Sequence, residues 1–173
     1  MSEAAPQSTP EKLQIDKDFY FRFSDEDQKA MHSGVWEYKN PVWILNKWKD
    51  QLEATADTIL SEEGIEAKHS ALWLWYHHAS QFAYRDGDTE TALAFINKAL
   101  EYHEKGSPEN RITPLLKMLY QGDFEQARSF AETIPARVME PRPGGTFEEI
   151  DNPEKETANY LINEYLKDVE SKK

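Results

Sequence analysis

"GDTETALAFINKAL", residues 87–100, and "GDFEQARSFAETI", residues 122–134, decide how this chain is read. Each opens on Gly-Asp, each continues into an apolar-striped run, and the two glycines stand 35 residues apart. A fixed period of that size marks stacked helical units. Glycine suits the position after a helix because the backbone there often takes a positive φ, which strains any side chain bearing Cβ. Aspartate can then accept hydrogen bonds from the free N–H groups that open the next helix. So short a junction folds two helices back on each other as an αα-hairpin. Ala92 and Ala99 fall on one face of the second helix, where small side chains let helix axes approach closely, and Ala127 repeats Ala92 at the same offset.

These residues resemble the tetratricopeptide repeat. The matching positions are Gly87, Asp88, Glu90, Ala92, Lys98, Ala99 and Leu100 in one unit, and Gly122, Asp123, Phe124, Glu125 and Ala127 in the next. The resemblance spans about residues 73–134. It departs from the family pattern where Leu115 replaces the small residue that Ser80 supplies in the first unit. Ile134 likewise stands where a second small residue is expected, and Pro114 shortens the preceding helix. The resemblance implies a short right-handed array of antiparallel hairpins that binds another polypeptide.

The rest of the chain extends that pattern. Five of the seven glycines (34, 64, 87, 106 and 122) close helix-like stretches. Pro10, Pro41, Pro108, Pro114 and Pro153 each follow a capping residue, Thr9, Asn40, Ser107, Thr113 and Asn152, as at a helix start. Stripes at three- and four-residue spacing predict helices over 41–63 (Leu45, Trp48, Leu52, Ala56, Ile59), 65–85 (Leu72, Trp75, Tyr76, Ala79, Phe82, Ala83) and 89–104 (Ala92, Leu93, Ile96, Ala99, Leu100). Shorter helices are expected at 25–33, 114–121 and 124–134. Residues 41–63 and 65–85 read as a further hairpin about Gly64. A last helix over 153–170, with Ala158, Leu161, Ile162, Tyr165, Leu166 and Val169 on one face, is suited to cap the stack. Only "FYFRF" (19–23) and "GVWEY" (34–38) look extended, and neither has an obvious pairing partner. The expectation is an all-α domain over 11–170, behind a disordered tail at 1–10, with 135–152 as an irregular strap ahead of the capping helix.

Composition narrows the function. Five Trp, eight Tyr and eight Phe supply enough large apolar surface for a sizeable core in 173 residues. There is no cysteine, hence no disulfide and no thiolate metal site. No apolar run approaches a membrane span, and "MSEAAPQSTPEK" lacks the profile of a secretory signal. The expected location is cytoplasmic. A net charge of −12, with six scattered arginines, disfavours direct nucleic-acid binding and would steer a basic partner inward. Adaptor, chaperone-like factor and acidic inhibitor of a basic protein all fit.

Catalytic signals are sparse. Glu66-x-x-His69 is half of a di-iron carboxylate motif, and no second copy occurs. His69 and His77 share a helix face, so a helical enzyme or metal-binding bundle using Glu66, His69 and His77 is the alternative reading. No Gly-x-Ser-x-Gly elbow or glycine-rich phosphate loop is present, and Gly144-Gly145 reads as a turn. No catalytic residue, metal ligand or cofactor is assigned. In tetratricopeptide-like scaffolds the first helix of each unit lines the concave side, which here makes His77, Gln81, Tyr84 and Arg85 the expected partner-binding stripe. On that reading Tyr84→Ala and His77→Ala leave thermal stability intact. The matching stripe of the second unit, Ile112, Leu116 and Leu119, is apolar, and the 153–170 helix is expected to cover it.

Overall fold

The computed structural model describes residues 12–15, 21–22, 24–27, 29, 42–58, 62–104 and 110–173. The expected tail at 1–10, the 34–38 segment, Ile59, Gly34, Gly106 and the starts at Pro10, Pro41 and Pro108 lie outside these residues.

The protein is mostly helical. Among the described residues, two short strands, β1 (Gln14–Ile15) and β2 (Phe21–Arg22), and helical residues at 25–27 within the expected 25–33 helix precede five longer helices. These are α1 (Val42–Ala56), α2 (Glu62–Arg85), α3 (Thr89–Glu104), α4 (Ile112–Tyr120) and α5 (Phe124–Glu132). A hairpin of β3 (Arg137–Pro141) and β4 (Phe147–Asp151) leads into the last helix, α6 (Pro153–Ser171). Consecutive helices pack in pairs, α1 on α2, α2 on α3, α3 on α4 and α4 on α5, while α6 lies against both α4 and α5.

The two Gly-Asp junctions have the same geometry. Gly87 has φ +83° and Gly122 has φ +75°. Gly87 N–H bonds the Tyr84 carbonyl and Asp88 N–H the Ala83 carbonyl, both at 3.0 Å. Gly122 and Asp123 repeat the pair on Leu119 and Met118. This is the Schellman closure, which satisfies two carbonyls left free at a helix end. The same aspartates then open the next helix: Asp88 Oδ1 accepts from Thr91 N–H and Asp123 Oδ1 from Gln126 N–H, each at 3.0 Å. Ala92, Ala99 and Ala127 are all fully buried, as small residues at close helix contacts require.

The apolar stripes meet in one core. Trp48, Leu52 and Ala56 from α1, Leu72, Trp75, Tyr76, Ala79, Phe82 and Ala83 from α2, and Ile96 from α3 are buried in it. Ile112, Leu116 and Leu119 of α4 and Ala158 and Ile162 of α6 are buried, and α6 packs on both α4 and α5.

Four expectations are corrected. Gly64 does not end a helix but lies in the first turn of α2, and the break falls earlier, after Ala56. α4 begins at Ile112, so Thr113 is no cap; the N-cap is Arg111, which makes no side-chain cap bond, and Asn110 Oδ1, one residue earlier, accepts from Ile112 N–H at 2.8 Å. β2 does have a partner, pairing antiparallel with β1 through Phe21 and Ile15. The 135–152 segment is not an irregular strap: β3 and β4 pair in register from Arg137–Asp151 to Pro141–Phe147. Asn152 links this hairpin to α6. Its backbone N–H bonds the Ala136 carbonyl, and its side chain accepts from Glu154 N–H at 3.1 Å, so the expected Asn-Pro helix start is present.

Candidate functional site

Where α2 ends, three helices bring tyrosines together. Tyr84 of α2 stacks on Tyr120, the last residue of α4, with centroids 4.9 Å apart and planes at 20°. Tyr165 of α6 stacks on Tyr84 from another side, at 4.8 Å and 28°. Offset aromatic pairs at this separation add stabilisation beyond the area they bury. Ser80, fully buried on α2, donates its hydroxyl proton to the His77 carbonyl at 2.7 Å. The Tyr120 hydroxyl, 3.0 Å from Ser80 Oγ, is therefore the donor between those two. Ser80, read from sequence as a small residue for close packing, also anchors Tyr120.

Above the tyrosines lies a groove of about 270 Å³ between the end of α2 and the length of α6. Gln81, Tyr84 and Arg85 line one wall; Tyr160, Leu161, Glu164, Tyr165, Asp168 and Lys172 line the other. Tyr160 is 63% exposed at its mouth. Burial, followed by the nearby Asp168 carboxylate, raises the Tyr84 hydroxyl above its ordinary value. Burial pushes Tyr165 up to about 12, so both stay protonated hydrogen-bond donors across the neutral range. Glu164 is paired with Lys167 at 3.2 Å and Asp168 with Lys172 at 3.0 Å. Arg85 has no ion-pair partner among the described residues, leaving its guanidinium available at the groove edge.

Three of the four residues expected to bind a partner thus line one groove. His77 does not. It is only 7% exposed, turned into the contact between α2 and α4. Its Nδ1 lies 2.9 Å from Thr113 Oγ1, and Trp73 Nε1 donates to the same oxygen at 3.0 Å. Burial, with a smaller contribution from His78, brings the imidazole down to about 4. His77 belongs to the core. Tyr84 also differs from its expected role, since its stacking on two other rings makes it structural as well as accessible.

His69 and His77 meet different helices. His69 packs against Tyr102 of α3, ring centroids 6.0 Å apart, while His77 is engaged with Thr113 of α4. Among the described residues no group of three or more His, Asp or Glu is placed to hold a metal ion. Nor is any described helix long and apolar enough to cross a membrane.

The α6 wall was beyond reach of local sequence patterns. Tyr160 and Asp168 sit about eighty residues from Tyr84, and α6 reads as amphipathic whichever way its polar edge points. The one available signal is Tyr165, a tyrosine with its polar hydroxyl amid an otherwise aliphatic stripe.

Compared with models of known families, with curated proteins and with solved structures, the chain matches none.

Proposed function

We propose that this chain is a cytoplasmic protein-interaction module, built of stacked helical hairpins of the tetratricopeptide kind, that binds a polypeptide segment in the groove between α2 and α6. The observation that carries the reading is the groove itself. Its floor is a rigid tyrosine stack, Tyr160 stands exposed at its mouth, and Arg85 is free to pair at its edge. Tyrosine and arginine are enriched among the few residues that carry most of the binding energy at protein interfaces. The repeated Gly-Asp closure supports the stacking, as two junctions 35 residues apart share one hydrogen-bond scheme. The groove's own lining holds two carboxylates and two cations, so it does not select a partner by charge. The molecule's net charge of −12 does, favouring encounter with a basic protein through the long-range field. An adaptor, a chaperone-like factor and an inhibitor of a basic protein would each use the site this way.

The test is capture of partners from native extract with the wild-type chain and with Tyr160→Ala and Arg85→Ala, both exposed positions outside the core. Retention of a partner by the wild type and its loss from both variants, at unchanged melting temperature, supports the groove. Equal retention by all three refutes it.

A further inference from the structure

The β3–β4 hairpin carries a second surface, apart from the groove. Antiparallel pairs alternate between residues that exchange hydrogen bonds and residues whose N–H and C=O point away. Arg142 N–H bonds the Thr146 carbonyl, and Asn152 N–H the Ala136 carbonyl. By alternation the pairs 138–150 and 140–148 also exchange bonds, so the odd-numbered residues of both strands direct their backbone groups outward. On β3 that edge includes Pro141, which has no N–H to offer. On β4 it presents the N–H groups of Phe147, Glu149 and Asp151, with no further strand beside them among the described residues. The β4 edge thus keeps all three outward donors where the β3 edge lacks one, and of its outward carbonyls that of Glu149 accepts from Arg137 Nη2 at 3.3 Å.

The side chains of the outward face add an apolar anchor. Met139 is 59% exposed and Phe147 65%, and Phe147 pairs with Pro141 across the strands. An exposed strand edge beside bare apolar side chains is a template for another strand. The charge around it selects which one. Arg137 and Arg142 stand against Glu140, Glu148, Glu149 and Asp151, and both arginines are already engaged by these carboxylates. A second copy pairing β4 with β4 antiparallel about Glu149 would set the two Glu149 carboxylates directly opposite each other. Like charges directly opposite destabilise a sheet pair, so the edge rejects its own copy. A basic strand meets the opposite situation.

We propose that the open edge of β4 binds an extended basic segment of a partner protein by strand addition, with basic side chains beside Glu149 and Asp151 and an apolar one against Phe147. The reading goes beyond the groove and does not depend on it.

The test titrates the full chain with a peptide of alternating Lys and Val, and with the same peptide N-methylated at every peptide bond. The second probe keeps the charge and loses its backbone donors. Backbone amides are followed by NMR. The plain peptide is expected to shift the amides of Phe147, Glu149 and Asp151 and to slow their hydrogen exchange by about tenfold, while the methylated one leaves them unchanged. Glu149→Pro removes an outward donor without removing a bond between β3 and β4, and is expected to weaken binding by about tenfold. Glu149→Gln, which keeps the donor, is expected to weaken it less. Equal binding of both peptides, shifts confined to the helices, absence of binding, or unchanged affinity in Glu149→Pro would each overturn the proposal. The peptide comparison uses the wild-type chain and so holds whether or not the proline variant folds.

Discussion

Acidification should unfold this protein partly through His77. The residue is buried between α2 and α4, its Nδ1 held 2.9 Å from Thr113 Oγ1. Trp73 donates to the same oxygen, and neutral imidazole completes the contact through Nδ1 in either tautomer, since the hydroxyl can donate as well as accept. The site is built for neutral imidazole. Its pKa falls from the ordinary 6.5 to about 4, first by burial and then by His78. Between those values the unfolded chain binds a proton at this position that the folded chain refuses, so stability falls as the pH drops through the interval. Above about 6.5 both states are neutral and the contribution is flat; below about 4 both are charged and it is flat again. Applying both values at pH 5 gives a loss of about 2 kcal/mol relative to neutral pH, a large share of a domain's stability.

Urea unfolding of the wild type and of His77→Gln, at neutral pH and at pH 5, measures this directly. The variant should start less stable, because the imidazole packing is lost, yet lose about 2 kcal/mol less between the two conditions. Titrating groups that do not interact with His77 are common to both chains and cancel in the difference. A variant that loses as much stability as the wild type between the two pH values would show that His77 is not a buried neutral base, and the placement of α2 against α4 would fail with it.

Gly87→Ala should cost on the order of 1 kcal/mol in denaturation midpoint: no atom lies within 4 Å of the added Cβ, so the whole effect is the φ of +83°. Gly122→Ala should match it, and a clear difference between the two would break the equivalence of the junctions. Ala99→Leu, at a fully buried position, should cost about 1–3 kcal/mol by overpacking, seen as a lowered melting temperature. Thr113→Val keeps the shape of the side chain but strands Trp73 Nε1 and His77 Nδ1 without their partner, and should cost about 1–3 kcal/mol by urea titration. Tyr84→Ala should also lower stability, because it removes both of its ring stacks.

What could be read from sequence was whatever a residue's own neighbours determine. Gly87-Asp88 and Gly122-Asp123 needed no distant partner: the positive φ, the two closing carbonyl bonds and the capping carboxylate all fall within nine residues, 83–91 and 118–126. Helix stripes were equally legible, since burial of Leu52, Ile96 or Leu116 follows from a period of 3.6. Thr113 shows where that legibility stops. Thr-Pro is a sound local cap signal, yet its hydroxyl is claimed by Trp73 and His77, about forty residues away. With the hydroxyl committed there, it is Asn110 Oδ1 that accepts from Ile112 N–H. The 135–152 segment hid its pairing for another reason. "RVMEP" and "FEEID" alternate only weakly, because the hairpin's outward face is exposed and carries Met139 and Phe147 where a solvated strand would carry polar groups.

His77 and Arg85 fix the limit for the site. Both were assigned to one polar stripe of α2 because they lie eight residues apart on one face of a helix. A helix face is wide enough to meet two neighbours, and here α4 covers its earlier turns while the α6 wall faces its last one. The polar group under α4 had to be satisfied internally, and Thr113 does that; the one beyond α4 remained free. Sequence spacing cannot separate these cases, since it gives the direction of a side chain and not the length of the helix packed against it. The length of α4 is the deciding quantity. It ends at Tyr120, whose buried ring stacks on Tyr84. The α2 lining of the groove therefore begins at Gln81, one turn after His77, with α6 supplying the opposite wall.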